Sequence, residues 1–79
     1  MSIVYVLVAC DVGLEKSVID KLKSVDLVKD IIGVMGSYDI LVKLESENSD
    51  DLKNIITSKI RKIPDIKTTL TLTVIESQE

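Results

Sequence analysis

The residues with the most chemical potential in this chain are consecutive: Gly36, Ser37, Tyr38 and Asp39. They lie between two apolar, strand-like runs, one ending in Val34-Met35 and the other beginning Ile40-Leu41-Val42. Gly36 can take a positive φ, and Ser37 makes few steric demands. Two readings follow. In one, exposed backbone N–H and C=O groups act with Asp39 on a zwitterion, the amides meeting its carboxylate and Asp39 its ammonium. In the other, the segment is a tight hairpin whose Asp39 hydrogen-bonds local backbone amides. Spacing alone favours the hairpin.

Most other chemistry is excluded by residue type. The chain has no histidine and one cysteine, Cys10. Ser-His and Cys-His nucleophile pairs are therefore impossible. A single thiol rules out a paired-cysteine redox site and an internal disulfide, and zinc lacks its usual ligands. Asp50 and Asp51 are adjacent on a helical segment and so do not face each other; helix capping explains them better than a cation site. Gly33 and Gly36 do not form a phosphate loop, because no Gly-Lys-Ser/Thr sequence follows. Asp39 is a lone carboxylate with no partner of opposed tuning. The expectation is a protein without catalysis, cofactor or metal.

Bulk properties narrow the class. A chain of 79 residues supports a single domain, assigned to residues 1–79. Hydrophobic residues make up 46% of it, and mean hydropathy is +0.29. A domain this small cannot hide all of that surface alone, so part of it is expected to be buried between subunits. The net charge of −3 and the two tyrosines as sole aromatics disfavour direct nucleic-acid binding, which needs a basic stripe or a stacking platform. No apolar run approaches the ~20 residues of a membrane span. Leu7-Val8-Ala9-Cys10 has the form of a lipoprotein cleavage box, but no basic segment precedes it and the run from Ile3 is short for a signal core. Cys10 reads as an inert core residue, and the cysteine usage fits a reducing, cytoplasmic setting.

The elements that must position the corner follow from periodicity. Ile3 to Cys10 is continuous and β-branched, as in a strand buried on both faces. After Asp11-Val12-Gly13 the period changes, and Leu14, Val18, Ile19, Leu22 and Val25 share a helical face. Val28 to Met35 reads as a second strand, with Gly33 marking a bulge or a close backbone approach. In the third strand Tyr38, Ile40, Val42 and Leu44 oppose Asp39, Leu41, Lys43 and Glu45. Asn48 or Ser49 caps a second helix with the stripe Leu52, Ile55, Ile56, Ile60 and Ile63, ended by Pro64. In the last strand, Ile66 to Ile75, the alternation sets Ile66, Thr68, Leu70, Leu72 and Val74 against Lys67, Thr69, Thr71, Thr73 and Ile75; a frayed tail, 76–79, follows. The order βαββαβ predicts an α+β, ferredoxin-like fold: a four-stranded antiparallel sheet with two helices on one face. The open face is apolar and is expected to be covered by a second copy, sheet against sheet.

Gly36-Ser37-Tyr38-Asp39 followed by Ile40-Leu41-Val42-Lys43 resembles the Gly-x-Tyr-Asp signature of the Lrp/AsnC effector domain, also called the RAM domain. The resemblance continues through Ile60-Arg61-Lys62-Ile63-Pro64-Asp65-Ile66 and into the Thr-rich last strand at Thr69 and Thr71. It spans almost the entire chain without insertion. It implies a face-to-face dimer that assembles further, commonly as four dimers, with an amino-acid effector bound between dimers. By position it transfers the ligand-binding role to Gly36, Ser37, Tyr38, Asp39, Lys67, Thr69 and Thr71. The chain departs from the family pattern in two places. No helix-turn-helix segment precedes the first strand, as in a stand-alone effector domain, and Asp65 replaces the usual Gly after Pro64. Lys67 either adds a cation to the pocket or closes it by pairing with Asp39.

The expectation is thus an amino-acid-sensing, oligomeric regulatory module, acting alone or with a full-length Lrp/AsnC-type transcriptional regulator. Two alternatives stand beside it: an assembly module with a vestigial pocket, and a dimeric α+β barrel enzyme, which would need a polar cleft above the sheet.

Overall fold

The computed structural model describes residues 2–74; Ile75 and the tail 76–79 lie outside the described residues. The elements are β1 (Ser2–Cys10), α1 (Glu15–Lys23), β2 (Val28–Gly33), β3 (Ile40–Ser46), α2 (Ser49–Ile55) continued by a π turn (Ile56–Ile60), and β4 (Ile66–Thr73). The strands form one antiparallel sheet in the order β2-β3-β1-β4, so the βαββαβ expectation holds.

The all-apolar β1 occupies an inner position and splits its side chains between two surfaces. Val4, Val6, Val8 and Cys10 face the helices and are buried. Ile3, Tyr5, Leu7 and Ala9 face the other way and are half-buried. β3, the other inner strand, does the same: Ile40, Val42 and Leu44 are fully buried and Leu41, Lys43 and Glu45 are not. Val18 and Leu22 of α1, with Leu52, Ile56, Ile60 and Ile63 from the second helical segment, complete the core. α1 packs chiefly on β2, and α2 on β3 and β1. β4, at the sheet edge, is left with the least helical cover.

The second helical segment is not uniform. Asn48 caps it, its Oδ1 accepting the Asp50 N–H at 2.8 Å, with Asp50 and Asp51 in the first turn where the helix dipole favours acids. From Ile56 the turn widens, and the Arg61 N–H reaches the Ile56 carbonyl at 3.0 Å. The hydrophobic spacing gives the reason. Leu52, Ile56 and Ile60 are four apart, and an α-helix turns roughly 400° in four residues, so the stripe would drift about 40° per step. A wider turn reverses that drift, and all three side chains remain buried. The Ser58 hydroxyl donates to the Asn54 carbonyl at 2.5 Å, an added donor where the backbone ladder changes register.

Three expectations are corrected. β2 ends at Gly33 rather than Met35. The Val34 N–H still reaches the Asp39 carbonyl at 2.8 Å, but beyond it the chain leaves the sheet and Met35 stands 99% exposed. Gly33 marks neither a bulge nor a close approach. It pairs in register with Ile40, the β2 irregularity lies between Val28 and Asp30, and a Cβ at Gly33 would meet nothing within 4 Å. The simple alternation of β4 also fails at its start. Thr69, Thr71 and Thr73 lie opposite the inward-facing Val8, Val6 and Val4, but the β1–β4 register slips between Ala9 and Cys10 and brings Ile66 opposite Cys10. Ile66 therefore joins Thr69 and Thr71 on the helix side, packed against the core.

Asp65 has a clear structural use. Its carboxylate accepts from the Ser17 hydroxyl and pairs with Lys21, both at 3.2 Å. It ties the turn before β4 to α1.

Ile60 tests the core assignment. Ile60→Ala should lower unfolding free energy by about 2–5 kcal/mol in urea titrations, whereas Met35→Ala should change it by no more than about 0.5 kcal/mol. Equal small losses would contradict the packing of the π turn.

Candidate functional site

β1 runs antiparallel to both neighbours, so its C-terminal end lies between the start of β3 and the start of β4. The corner 34–39 and Lys67–Thr69 therefore meet at the same end of the sheet, on opposite sides of β1. Gly36 has φ +129°, a conformation that side-chain-bearing residues rarely adopt. It turns the chain so that Gly36 and Ser37 are exposed while Tyr38 and Asp39 are half-buried.

Asp39 is held by β1 rather than by its own turn. Its backbone N–H donates to the Val8 carbonyl at 2.9 Å, and its Oδ2 accepts the Cys10 N–H at 3.0 Å. The side chain thus extends the β1–β3 pairing past the last backbone rung. This differs from the local-amide hairpin, because the bonded amide lies 29 residues away in sequence. It leaves the second carboxylate oxygen, Oδ1, outside that bond. Lys67 does not pair with Asp39. Its Nζ lies 3.7 Å from Asp11 Oδ1, with both side chains more than 60% exposed. Such a pair is worth little to stability and is easily displaced.

Thr69 and Thr71 look toward the helices. A hollow of ≈ 300 Å³ is lined by Arg61, Ile66, Lys67, Thr68 and Thr69. A second, of ≈ 270 Å³, is lined by Lys53, Ile56, Thr57, Arg61 and Thr71. The β4 candidates therefore open onto the helix side of the sheet edge, and the loop candidates onto the end of the sheet. Within one protomer β1 separates the two groups. Lys53, Thr57 and Arg61, which line these hollows, were not among the residues that the sequence singled out. Their four-residue spacing was a usable signal, but nothing in it says which strand that helix row faces.

Cys10 lies between the two groups. Burial raises its thiol pKa from 9.0, and the negative charges of Asp39, Glu15, Asp11 and Asp65 raise it further. It is a poor nucleophile at neutral pH. Among the described residues there is no cluster of three or more His, Cys, Asp or Glu side chains placed to hold a metal ion, and no helix is long and apolar enough to cross a membrane.

A family model described as the Lrp/AsnC ligand binding domain matches residues 3–78. The chain belongs to the Lrp/AsnC ligand binding domain family. The crystal structure of FFRP-DM1 is similar over 95% of this chain and 100% of its own, with TM-score 0.88 and 39% identity. Escherichia coli AsnC is similar over 99% of this chain and 53% of its own, with TM-score 0.89 and 25% identity. Among curated relatives, the homocitrate synthase of Sulfolobus acidocaldarius is 36% identical over 70 residues, which make up 87% of this chain and 15% of the enzyme. The chain thus spans about 15% of the length of the curated relatives it matches. Lrp/AsnC membership makes the chain a regulatory, effector-binding module of ferredoxin-like fold.

The raised Cys10 pKa has a signed consequence. The folded state holds the thiol proton more tightly, so the contribution to stability is complete below the unfolded pKa and declines as pH rises through 9 and beyond. Urea midpoints measured from pH 7 to pH 10.5 should fall more steeply for the native chain than for Cys10→Val. Parallel alkaline limbs would contradict the shift.

Proposed function

We propose that this domain is a non-catalytic sensor that assembles through its open sheet face and binds an amino acid between copies of itself. One observation carries the reading: the Gly36–Asp39 loop, Lys67 and Thr69 lie at one end of the sheet, yet β1 keeps them from forming one enclosed pocket. A second subunit packed against that end would supply the missing wall. Val12, 96% exposed, and Met35, 99% exposed, extend from loops at this same end and offer the apolar contacts such packing needs.

The open face supports the dimer. Register aligns Ile32, Leu41, Leu7 and Leu70 in one row across all strands, with Tyr5 and Leu72 adjacent in the next. Ile32, Leu70 and Leu72 are 44–47% exposed in the isolated chain. Lys43 on this face pairs with Glu45 at 3.2 Å, a hydrogen bond that raises the lysine pKa, and Asp30 lies opposite it on β2. In this reading dimers associate further, with an octamer of four dimers as the expected form. The effector site comprises Gly36, Ser37, Tyr38, Asp39, Lys67 and Thr69, with Thr71 further along β4. Regulation would pass through co-assembly with a full-length Lrp/AsnC-type transcriptional regulator in the cytoplasm, without direct nucleic-acid contact by this domain.

A second reading rests on the homocitrate synthase match. A segment like this one forms part of an enzyme, so the same sensor could report to a catalytic domain or subunit instead of a DNA-binding one. The two readings share the site and differ in the partner, which co-purification would identify.

The site is tested by thermal-shift screening of the twenty amino acids combined with light scattering. At least one amino acid should stabilise the assembly; a ligand at about 100 times its Kd adds about 2.7 kcal/mol. Asp39→Asn is the informative variant, because the amide oxygen can still accept from Cys10 while the charge is lost. It should keep the fold and lose the ligand response. An unchanged response in Asp39→Asn would remove Asp39 from the site, and a monomer that no amino acid stabilises would refute the proposal. Leu70→Glu should convert the dimer to monomer if the open face is the interface.

A further inference from the structure

The hollows beside β4 have an unusual composition for a domain of net charge −3. Lys53, Thr57 and Arg61 succeed one another at four-residue spacing along α2 and the π turn, so they share a face of that segment. Thr69 and Thr71 face them from β4, and Lys67 stands at one end. Arg61 lines both hollows, so the two adjoin, and together they form the groove considered below. The groove exists because α2 packs on β3 and β1, leaving the inward face of the edge strand incompletely covered. Threonines occupy that face where a covered strand would carry valine or isoleucine.

Two features are unexplained by the fold. The Thr71 Oγ1 is shielded from solvent and has no hydrogen-bond partner, a state that ordinarily costs free energy. In addition, neither Arg61 nor Lys53 forms an ion pair among the described residues. Lys67 is held only by its exposed 3.7 Å contact with Asp11. The groove therefore offers cations and hydroxyls without a matching anion. Guanidinium forks and threonine hydroxyls suit a carboxylate, and the π turn that positions Arg61 is a backbone feature frequent at functional sites.

We propose that this groove binds carboxylate and that the effector is accordingly a dicarboxylate, either an acidic amino acid or its 2-oxo acid. The inference deepens the sensor reading and rests on it for the identity of the site. A neutral side chain would leave Arg61 and Lys53 without counter-charge, and a basic one would be repelled. A second carboxylate meets both.

Calorimetric titration of the full chain decides the matter, using L-glutamate, L-aspartate, 2-oxoglutarate, L-leucine, L-lysine and sodium sulfate. At least one dicarboxylate should bind tenfold or more tightly than leucine, lysine and sulfate. Arg61→Gln, a surface change, should weaken it at least tenfold, and Lys23→Gln on the far side of the molecule should not. Thr71→Val provides a readout of opposite sign: it should raise the Tm of the free domain, by removing the unpartnered hydroxyl, while weakening the dicarboxylate. Tighter binding of leucine or another neutral amino acid, unaffected by Arg61→Gln, would overturn this inference and leave the amino-acid sensor standing. Binding of 2-oxoglutarate alone, lost in Arg61→Gln, would uphold the groove and refute the amino-acid reading. Sulfate binding as tightly as the dicarboxylates would overturn the inference as a non-specific anion patch, and no binding by any probe would overturn it too, leaving the amino-acid sensor to the screen of all twenty amino acids.

Discussion

The constraint on which this structure depends is the termination of β1. An inner strand must satisfy its backbone on both edges, and near Cys10 the regular ladders stop doing so. On the β3 side the Cys10 N–H is taken by the Asp39 carboxylate instead of a main-chain carbonyl. On the β4 side the register slips between Ala9 and Cys10, which leaves Lys67 out of the pairing. One local failure of sheet regularity thus brings a carboxylate and an ammonium to the same end of the sheet. It also holds them on opposite sides of a strand, so they do not neutralise each other.

The structural role of the Gly-x-Tyr-Asp corner is compatible with the binding role proposed for it. Gly36 and Asp39 are needed for the chain to turn and for β1 to end without an orphaned amide. The same geometry exposes the backbone of 36–37 and leaves one carboxylate oxygen outside the Cys10 bond. A structural turn and a binding loop do not exclude each other at this corner. Asp39 is a structural residue whose position also makes it available for recognition.

The π turn shows a comparable coupling on the helix side. It arises because the four-residue spacing of Leu52, Ile56 and Ile60 does not match an α-helical period, and a wider turn keeps all three in the core. The surface consequence is the placement of Arg61 over the edge of β4. Core packing and groove placement are set by opposite faces of one helical segment.

Much of this was legible in the sequence. The strand and helix periods, the antiparallel order, the Asn48 cap, the apolar open face and the family signature are all local patterns, and local patterns survive folding when burial favours them. Backbone strands of period two and helices of period 3.6 follow from hydrophobic spacing alone. What only the tertiary structure decided depends on contacts between distant segments: that Asp39 bonds to Cys10, that Lys67 turns to Asp11, that Ile66 changes face through a register slip, and that Lys53, Thr57 and Arg61 look across at Thr69 and Thr71. Each of these depends on how one strand slides against another or where a helix comes to rest on the sheet. Such offsets are set by packing of the whole core, and no single segment encodes them.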